Sequence, residues 1–180
     1  LRPGIEKRFA DDLRSFAFAA RLMEFFSAEA RRLRPVAAVA MLEHSMKLEL
    51  DLRLEASAIS EMPQNTEQES DFRLPKVDWA RTSRQILTTE WIEGTPLSDN
   101  AGLPAKGFDL KALADTLIQS FLRHAIRDGF FHADMHQGNL FVDASGKLVA
   151  VDFGITGRLN EKERLFLAEI LYGFITRDYM

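Results

Sequence analysis

Hydrophobic positions near the start of the chain recur at helical spacing. Ile5, Phe9, Leu13, Phe16, Ala20 and Met23 fall three or four residues apart with charged residues between them, which predicts a helix over 5–28. "LRPGI" ahead of it reads as a turn punctuated by Pro3 and Gly4. A second helix is expected from Val36 to Glu61, after Pro35, a residue that suits a first helical turn. Inside that span Leu48, Leu50, Leu52 and Leu54 alternate strictly, which by itself signals a strand. The neighbours are helical and no turn residue intervenes, so the segment is read as helix. Glu49 and Asp51 would then lie about 200° apart on it and read as solvated charge.

From Pro63 to Ser70 the chain is polar and aperiodic, hence a loop. "FRLP" (72–75) and "RQILTTEWI" (84–92) predict strands, the second rich in β-branched and aromatic residues. Residues 93–107, "EGTPLSDNAGLPAKG", read as connecting loop. Asp109 then caps a long helix with an apolar face of Leu110, Leu113, Leu117, Phe121 and Ile126, stopped by Gly129. Two short strands follow, "NLFV" and "KLVAVDF", joined by "DASG", whose Asp143 and Gly146 suit a hairpin turn. A last helix starts near Asn160. This order predicts an α+β fold that is predominantly helical.

Composition narrows the function classes. A 46% hydrophobic content over 180 residues supports a buried core. A formal charge of −4 and a pI near 5.6 give no global reason to expect nucleic-acid binding. With no cysteine, disulfides and Cys-based zinc sites are excluded. No stretch resembles a signal peptide, and "LFLAEILYGFI" is too short to span a bilayer and carries Glu169. The chain starts at Leu1 and stops at Met180 inside a helical pattern, so it is expected to be a piece of a longer protein.

The densest chemistry lies in "FHADMHQGNL", residues 131–140. His132, Asp134 and His136 alternate, and on a strand all three would face one way as zinc ligands. Gly129 and Gly138 flank them and point to a loop, and His44 and His124 fall in helical patterns elsewhere. A wider window shows H-x-D-x-x-x-x-N from His132 to Asn139, then Asp152-Phe153-Gly154 thirteen residues beyond Asn139. This is the pairing of a kinase-like catalytic loop with a metal-binding loop. Phosphoryl transfer needs its acceptor positioned and its charge neutralised. Asp134 can orient or deprotonate the acceptor, and Asn139 and Asp152 offer hard oxygen ligands for Mg²⁺. Gly154 frees the backbone to turn after Asp152. His132 is expected to pin the loop, and His136 to face solvent.

With "ELDLRLEA" and "LTTEWIEGTPL", the stretch "FFHADMHQGNLFV…LVAVDFGITGRL" resembles the UbiB family of atypical kinase-like proteins, associated with ubiquinone biosynthesis. The likeness runs through the whole chain, including "RPGIEKRFADDLR", and is nearest to bacterial members. It implies a protein-kinase-like fold, with a partial N-lobe over 1–92 carrying two family-specific helices and a C-lobe over 93–180. By this resemblance Asp134 is the catalytic aspartate, and Asn139 and Asp152 hold the metal of Mg-ATP. Glu55 is the helix glutamate that pairs with a nucleotide-binding lysine. Thr89 to Ile92 form the strand leading into the hinge, where backbone groups meet adenine, and Glu90, Trp91 and Ile92 belong to the nucleotide-binding set. Glu49 and Asp51 form a family acidic motif facing an N-terminal extension, and His132, Phe153 and Gly154 are structural.

Departures from the family pattern are specific. Ala133 stands where ordinary protein kinases usually carry arginine, and Met135 and Gln137 replace prolines of "HADPHPGN". The nucleotide-covering loop, the strand lysine, the "KxGQ" extension and the family's C-terminal transmembrane segments are outside this sequence, so the segment alone is expected to be nearly inactive. The resemblance implies a bacterial cytoplasmic location, at the inner face of the inner membrane for the full-length protein. Implied partners are a nucleotide, quinone-pathway enzymes, and lipid or quinone precursors. A non-catalytic nucleotide-binding scaffold for those enzymes is the alternative. A phosphotransferase of the aminoglycoside or choline type shares the loop logic but accounts poorly for "ELDLRLEA".

Overall fold

The computed structural model describes residues 1–62 and 69–177. Most of the loop expected at 63–70, and the last three residues of the expected terminal helix, lie outside the described residues. Helix α1 (Ile5–Phe26) starts after Gly4, whose φ of 76° turns the chain into it. Its inward stripe is Ile5, Phe9, Leu13, Ala17 and Ala20, and it packs on α3 (Pro35–Glu49). Phe16 and Met23, expected on that stripe, are 55% and 54% exposed. A fourfold step from Leu13 to Ala17 continues the buried row, whereas the step to Phe16 rotates off it. Ser27 breaks the helix and caps a short α2 (Ala28–Leu33) through the Ala30 N–H. Two helices were expected before Glu61, but the chain forms four.

The expected continuous helix from Val36 to Glu61 is interrupted at Leu50 and Asp51. Asp51 caps α4 (Leu52–Glu61) by accepting the Arg53 N–H, at backbone angles no helix interior adopts. A short acidic side chain competes for backbone donors in this way, and here the cap prevails over the leucine run. Glu49 therefore ends α3 and Asp51 begins α4, and the 200° relation between them does not hold. Pro35 opens α3 as expected, and Glu24 of α1 accepts the Val36 N–H, so one helix caps the next.

A four-stranded sheet runs β1 (Phe72–Arg73), β5 (Leu148–Ala150), β4 (Leu140–Asp143), β2 (Gly94–Pro96). The β1–β5 pair is parallel and the other two are antiparallel. The hairpin between β4 and β5 turns where the sequence placed it. Asp143 accepts the Ser145 and Lys147 N–H groups, and Gly146 supplies a φ of 87°. Two expectations fail here. Residues 93–107 are not loop throughout, since they contain β2 and a short helix α5 (Gly102–Ala105). Residues 84–92 form no regular strand, only isolated pairings such as Val77 with Thr89. Of their apolar side chains Leu87 packs against the core, whereas Ile86 and Trp91 remain exposed.

Asp109 caps α6 (Leu110–Leu122) by accepting the Lys111 and Ala112 N–H groups. The helix widens into a π turn over Arg123–Asp128 and stops at Gly129, at a φ of 68°. A Cβ there would meet the Leu159 carbonyl oxygen at 2.5 Å, so only glycine fits. Strands β3 (Phe130–His132) and β6 (Thr156–Arg158) form a second, two-stranded antiparallel sheet. Asn160 and Glu163 close a capping box on α7 (Glu161–Thr176). Ile59, Met62, Phe72, Leu103, Leu113, Leu140, Leu148 and Phe153 share one core beneath the four-stranded sheet. Buried Glu69, held by Arg127 at 2.9 Å and by His124 at 3.3 Å, ties the chain entering β1 to the end of α6. Among the described residues no helix is long and apolar enough to cross a membrane.

Candidate nucleotide site

Three pieces of backbone converge on one place: the turn after β3, the segment leaving β5, and α4. Pairing of β3 with β6 fixes the first two against each other, and the Ala133 N–H extends the ladder to the Ile155 carbonyl at 3.0 Å. His132, at the end of β3, is fully buried. Its Nδ1 accepts the Asp134 N–H at 3.1 Å, so Nε2 carries the proton and donates to the Val151 carbonyl at 3.3 Å. The ring also rests on Phe153, with centroids 4.6 Å apart. One imidazole thus joins the loop carrying Asp134 to the segment carrying Asp152.

Burial holds the His132 pKa below its ordinary 6.5, against the opposing pull of the Val151 carbonyl and the Asp152 and Asp134 charges. His124 moves the same way for the same first reason, with Glu69 opposing. Both hold a proton less tightly in the fold than in the unfolded chain, which therefore binds more protons as the pH falls through 6.5. Stability is therefore complete above pH 6.5 and falls as the medium is acidified through that value towards the folded-state pKa. Melting curves of the complete protein between pH 7.5 and pH 5 should show this decline, and His132→Gln should flatten part of it. An identical slope in that variant would exclude His132 as a contributor.

Asn139 lies almost wholly buried at the far end of the loop. Its Nδ2 donates to the Asp134 carbonyl at 3.3 Å, and its own carbonyl accepts the Val151 N–H at 2.9 Å. The amide oxygen has no donor among the described residues. Asp152 sits at a φ of 63°, a left-handed conformation uncommon for a residue with a side chain, though aspartate tolerates it. Among the described residues its carboxylate meets the Gly154 N–H alone, at 3.4 Å. From α4, Glu55 accepts the Phe153 N–H at 3.1 Å. Burial raises the Glu55 pKa first, and the neighbouring Asp152 charge raises it further. Glu55 and Asp152 face a 350 Å³ cleft whose other walls are Ile59, Pro75, Leu87, Thr89 and Val151.

The remaining sequence candidates fall in different places. The Asp134 carboxylate is half-exposed, 3.8 Å from His136 Nε2. Glu90 accepts from Arg73 and from the Lys76 N–H, while Trp91 is 85% exposed. Glu90, Trp91 and Ile92 are not among the residues that line the cleft; Leu87 and Thr89, two apart on an extended segment, are. Glu49 borders a 750 Å³ groove between α3, α4 and residues 153–156, which shares Glu55 with the cleft. Asp51 is bound by the Arg53 guanidinium, which draws its pKa down to about 2. Gly154 has no positive φ and a Cβ there would meet only the Asp152 carboxylate at 3.4 Å, so the backbone freedom expected of this glycine is not used, while Phe153 is buried in the core.

The three alternating polar residues of the loop do not converge as zinc ligands. Both His132 nitrogens are engaged, one with the Asp134 N–H and the other with the Val151 carbonyl, and His136 Nδ1 accepts the Gly138 N–H at 3.0 Å. Among the described residues no group of three or more His, Cys, Asp or Glu side chains is placed to hold a metal. Mg²⁺ requires something else, a few hard oxygens with room for phosphate and water. The Asn139 amide oxygen and the Asp152 carboxylate, on segments joined by the Val151 N–H, are a donor set of that kind. Of the cleft walls only Thr89 was named from the sequence, at the approach to the hinge; Ile59, Pro75, Leu87 and Val151 were not singled out. The one available signal was the i, i+2 relation of Leu87 and Thr89.

Comparison with known proteins agrees with the fold. The ABC1 atypical kinase-like domain matches residues 1–180. The chain is 40% identical, over 99% of its length and 34% of the relative's, to a "Probable protein kinase UbiB" of Marinobacter nauticus. Proteins of the same name from Xylella fastidiosa and Pseudomonas putida are each 38% identical with the same coverage. The chain thus spans about a third of the length of these relatives. Among solved structures it superposes on Rv3197 of Mycobacterium tuberculosis, described in complex with erythromycin. The TM-score is 0.63 at 22% identity, covering 87% of this chain and 38% of that one. That likeness concerns the fold alone.

Proposed function

This chain belongs to the ABC1 atypical kinase-like family, and on that premise we propose that it builds the magnesium–nucleotide site of a UbiB-type kinase or ATPase supporting ubiquinone biosynthesis. The observation that carries the proposal is the convergence of Glu55 and Asp152 on one cleft, with Asn139 tied to the segment carrying Asp152 through the Val151 N–H. Asn139 and Asp152 would hold the metal. When bound, Mg²⁺ would supply positive charge against the negative charge that develops on the transferring phosphate.

Each side chain then has a defined task. Asp134, solvent-accessible on a loop braced by His132, accepts the proton of the attacking hydroxyl or water as the new O–P bond forms and the bond to the β-phosphate breaks. Glu55 is aimed by the Phe153 N–H, and its raised pKa marks it as a carboxylate in want of a cationic partner, the role the family gives to a lysine. Leu87 and Thr89 line the wall on which the base of the nucleotide would rest. The acceptor is water or a small molecule.

The test uses the complete protein: Mg²⁺-dependent ATP turnover and nucleotide binding, measured beside quinone content in cells lacking the native gene. Binding that requires Mg²⁺, with turnover that tracks quinone content, is expected. Stoichiometric zinc or a failure to bind Mg-nucleotide would overturn it. Quinone synthesis supported equally by a turnover-dead protein would favour the non-catalytic scaffold.

A further inference from the structure

Helix α4 is attached to the segment after Asp152 at two points. Near its start, Glu55 accepts the Phe153 N–H. At its last residue, Glu61 is gripped by Arg158 of β6 through two parallel bonds, Nη1 to Oε1 at 2.8 Å and Nη2 to Oε2 at 2.5 Å. The Arg158 guanidinium also lies over the Phe130 ring, 4.3 Å from its centroid, and Phe130 is the β3 partner of Arg158 in the sheet. The fork is thus held in place from below by the strand that leads into the Asp134 loop.

Position decides what such a pair does. Glu55 and Glu61 are six residues apart, about 9 Å along the helix axis. A helix held at one point can still swing and rotate about that point, whereas two points that far apart fix both its tilt and its roll. The pair is largely exposed, Arg158 63% and Glu61 42%, so its worth to global stability is small. Its bidentate geometry nevertheless defines one orientation of α4 relative to β6.

We propose that Arg158 is a positioning residue that, through its fork with Glu61, holds α4 in the orientation that keeps Glu55 at the Asp152 cleft. This rests on the nucleotide-site assignment above and deepens it. Arg158 touches no reacting atom. It sets the angle of the helix that delivers Glu55.

The experiment compares Arg158→Gln, Arg158→Lys, Glu61→Gln, the double Gln variant and the charge exchange Glu61→Arg with Arg158→Glu, all in the complete protein. Mg-nucleotide affinity, kcat, KM and melting temperature are measured for each. Arg158→Gln should weaken nucleotide affinity roughly tenfold, within the range for residues that couple a network to a site. The melting temperature should move little. Arg158→Lys should recover only part, because an ammonium cannot reproduce the fork. The double Gln variant should be no worse than either single change. Hydrogen exchange over Leu52–Glu61 should quicken in Arg158→Gln without nucleotide present. Unchanged affinity and exchange in Arg158→Gln, with the parent binding normally, would overturn the clamp alone. A parent that binds no Mg-nucleotide would overturn the site assignment, and the clamp's purpose with it. An affinity loss matched by a large fall in melting temperature would reduce Arg158 to a structural role.

Discussion

Asp152→Asn should lower Mg²⁺-dependent nucleotide turnover by the complete protein about a hundredfold or more, the scale set by effects on groups that hold or orient a catalytic metal. Asparagine is the informative choice because of the backbone. Asp152 adopts a φ of 63°, which asparagine tolerates and alanine does not. The amide oxygen can still accept the Gly154 N–H, so the turn is kept and only the charge is lost. The melting temperature should therefore stay close to that of the parent. Asp152→Ala would add backbone strain and confound the comparison. A second consequence follows at Glu55, whose pKa is raised in part by the Asp152 charge. Removing that charge should bring the Glu55 pKa down, and infrared titration of the carboxyl band would detect it. Turnover retained in Asp152→Asn would remove Asp152 from the metal site.

Local signals marked some features of this fold, and their reach explains the rest. Asp109, Asn160 and Pro35 mark helix starts because capping acts within one turn. Asp143 and Gly146 mark the hairpin for the same reason. Asp51 is an equally good cap, but it lies within alternating leucines whose periodicity hid the break it makes. Residues 84–92 have strand composition without strand pairing, since β propensity measures fit to a pleated surface that must be there to fit. Strands β2, β3 and β6 are three residues each, too short to show a period.

The candidate site divides along the same line. Asp134, Asn139 and Asp152 fall within nineteen positions, on one loop and one hairpin, so their spacing is visible in the sequence itself. The cleft walls come from Ile59, Pro75, Leu87 and Thr89, which only tertiary packing brings to Asp152. The fork between Glu61 and Arg158 spans 97 residues, and nothing in either neighbourhood announces it. A motif thus marked the candidate residues, while the shape and orientation of the site are properties of the fold.

Phe153→Ala should cost the complete protein about 3–5 kcal/mol of stability, the usual range for emptying a core aromatic site. Phe153 is 1% exposed, packs at a tilt against His132 and belongs to the central core. The loss would register as a lower denaturant midpoint at unchanged slope. Stability alone would not distinguish it from other core residues, so Leu103→Ala, also fully buried but in α5, is the control, at about 2–5 kcal/mol. The two should part in nucleotide binding. Collapse around an emptied Phe153 moves its backbone N–H, which aims Glu55, and the adjoining Asp152. It also takes away the surface on which His132 rests while bracing the Asp134 loop. Mg-nucleotide affinity should therefore fall in Phe153→Ala under conditions where both variants are still folded, and hold in Leu103→Ala. Equal affinities in the two would mean that the core supports the site only by keeping the protein folded, and that Phe153 has no part in placing Asp152.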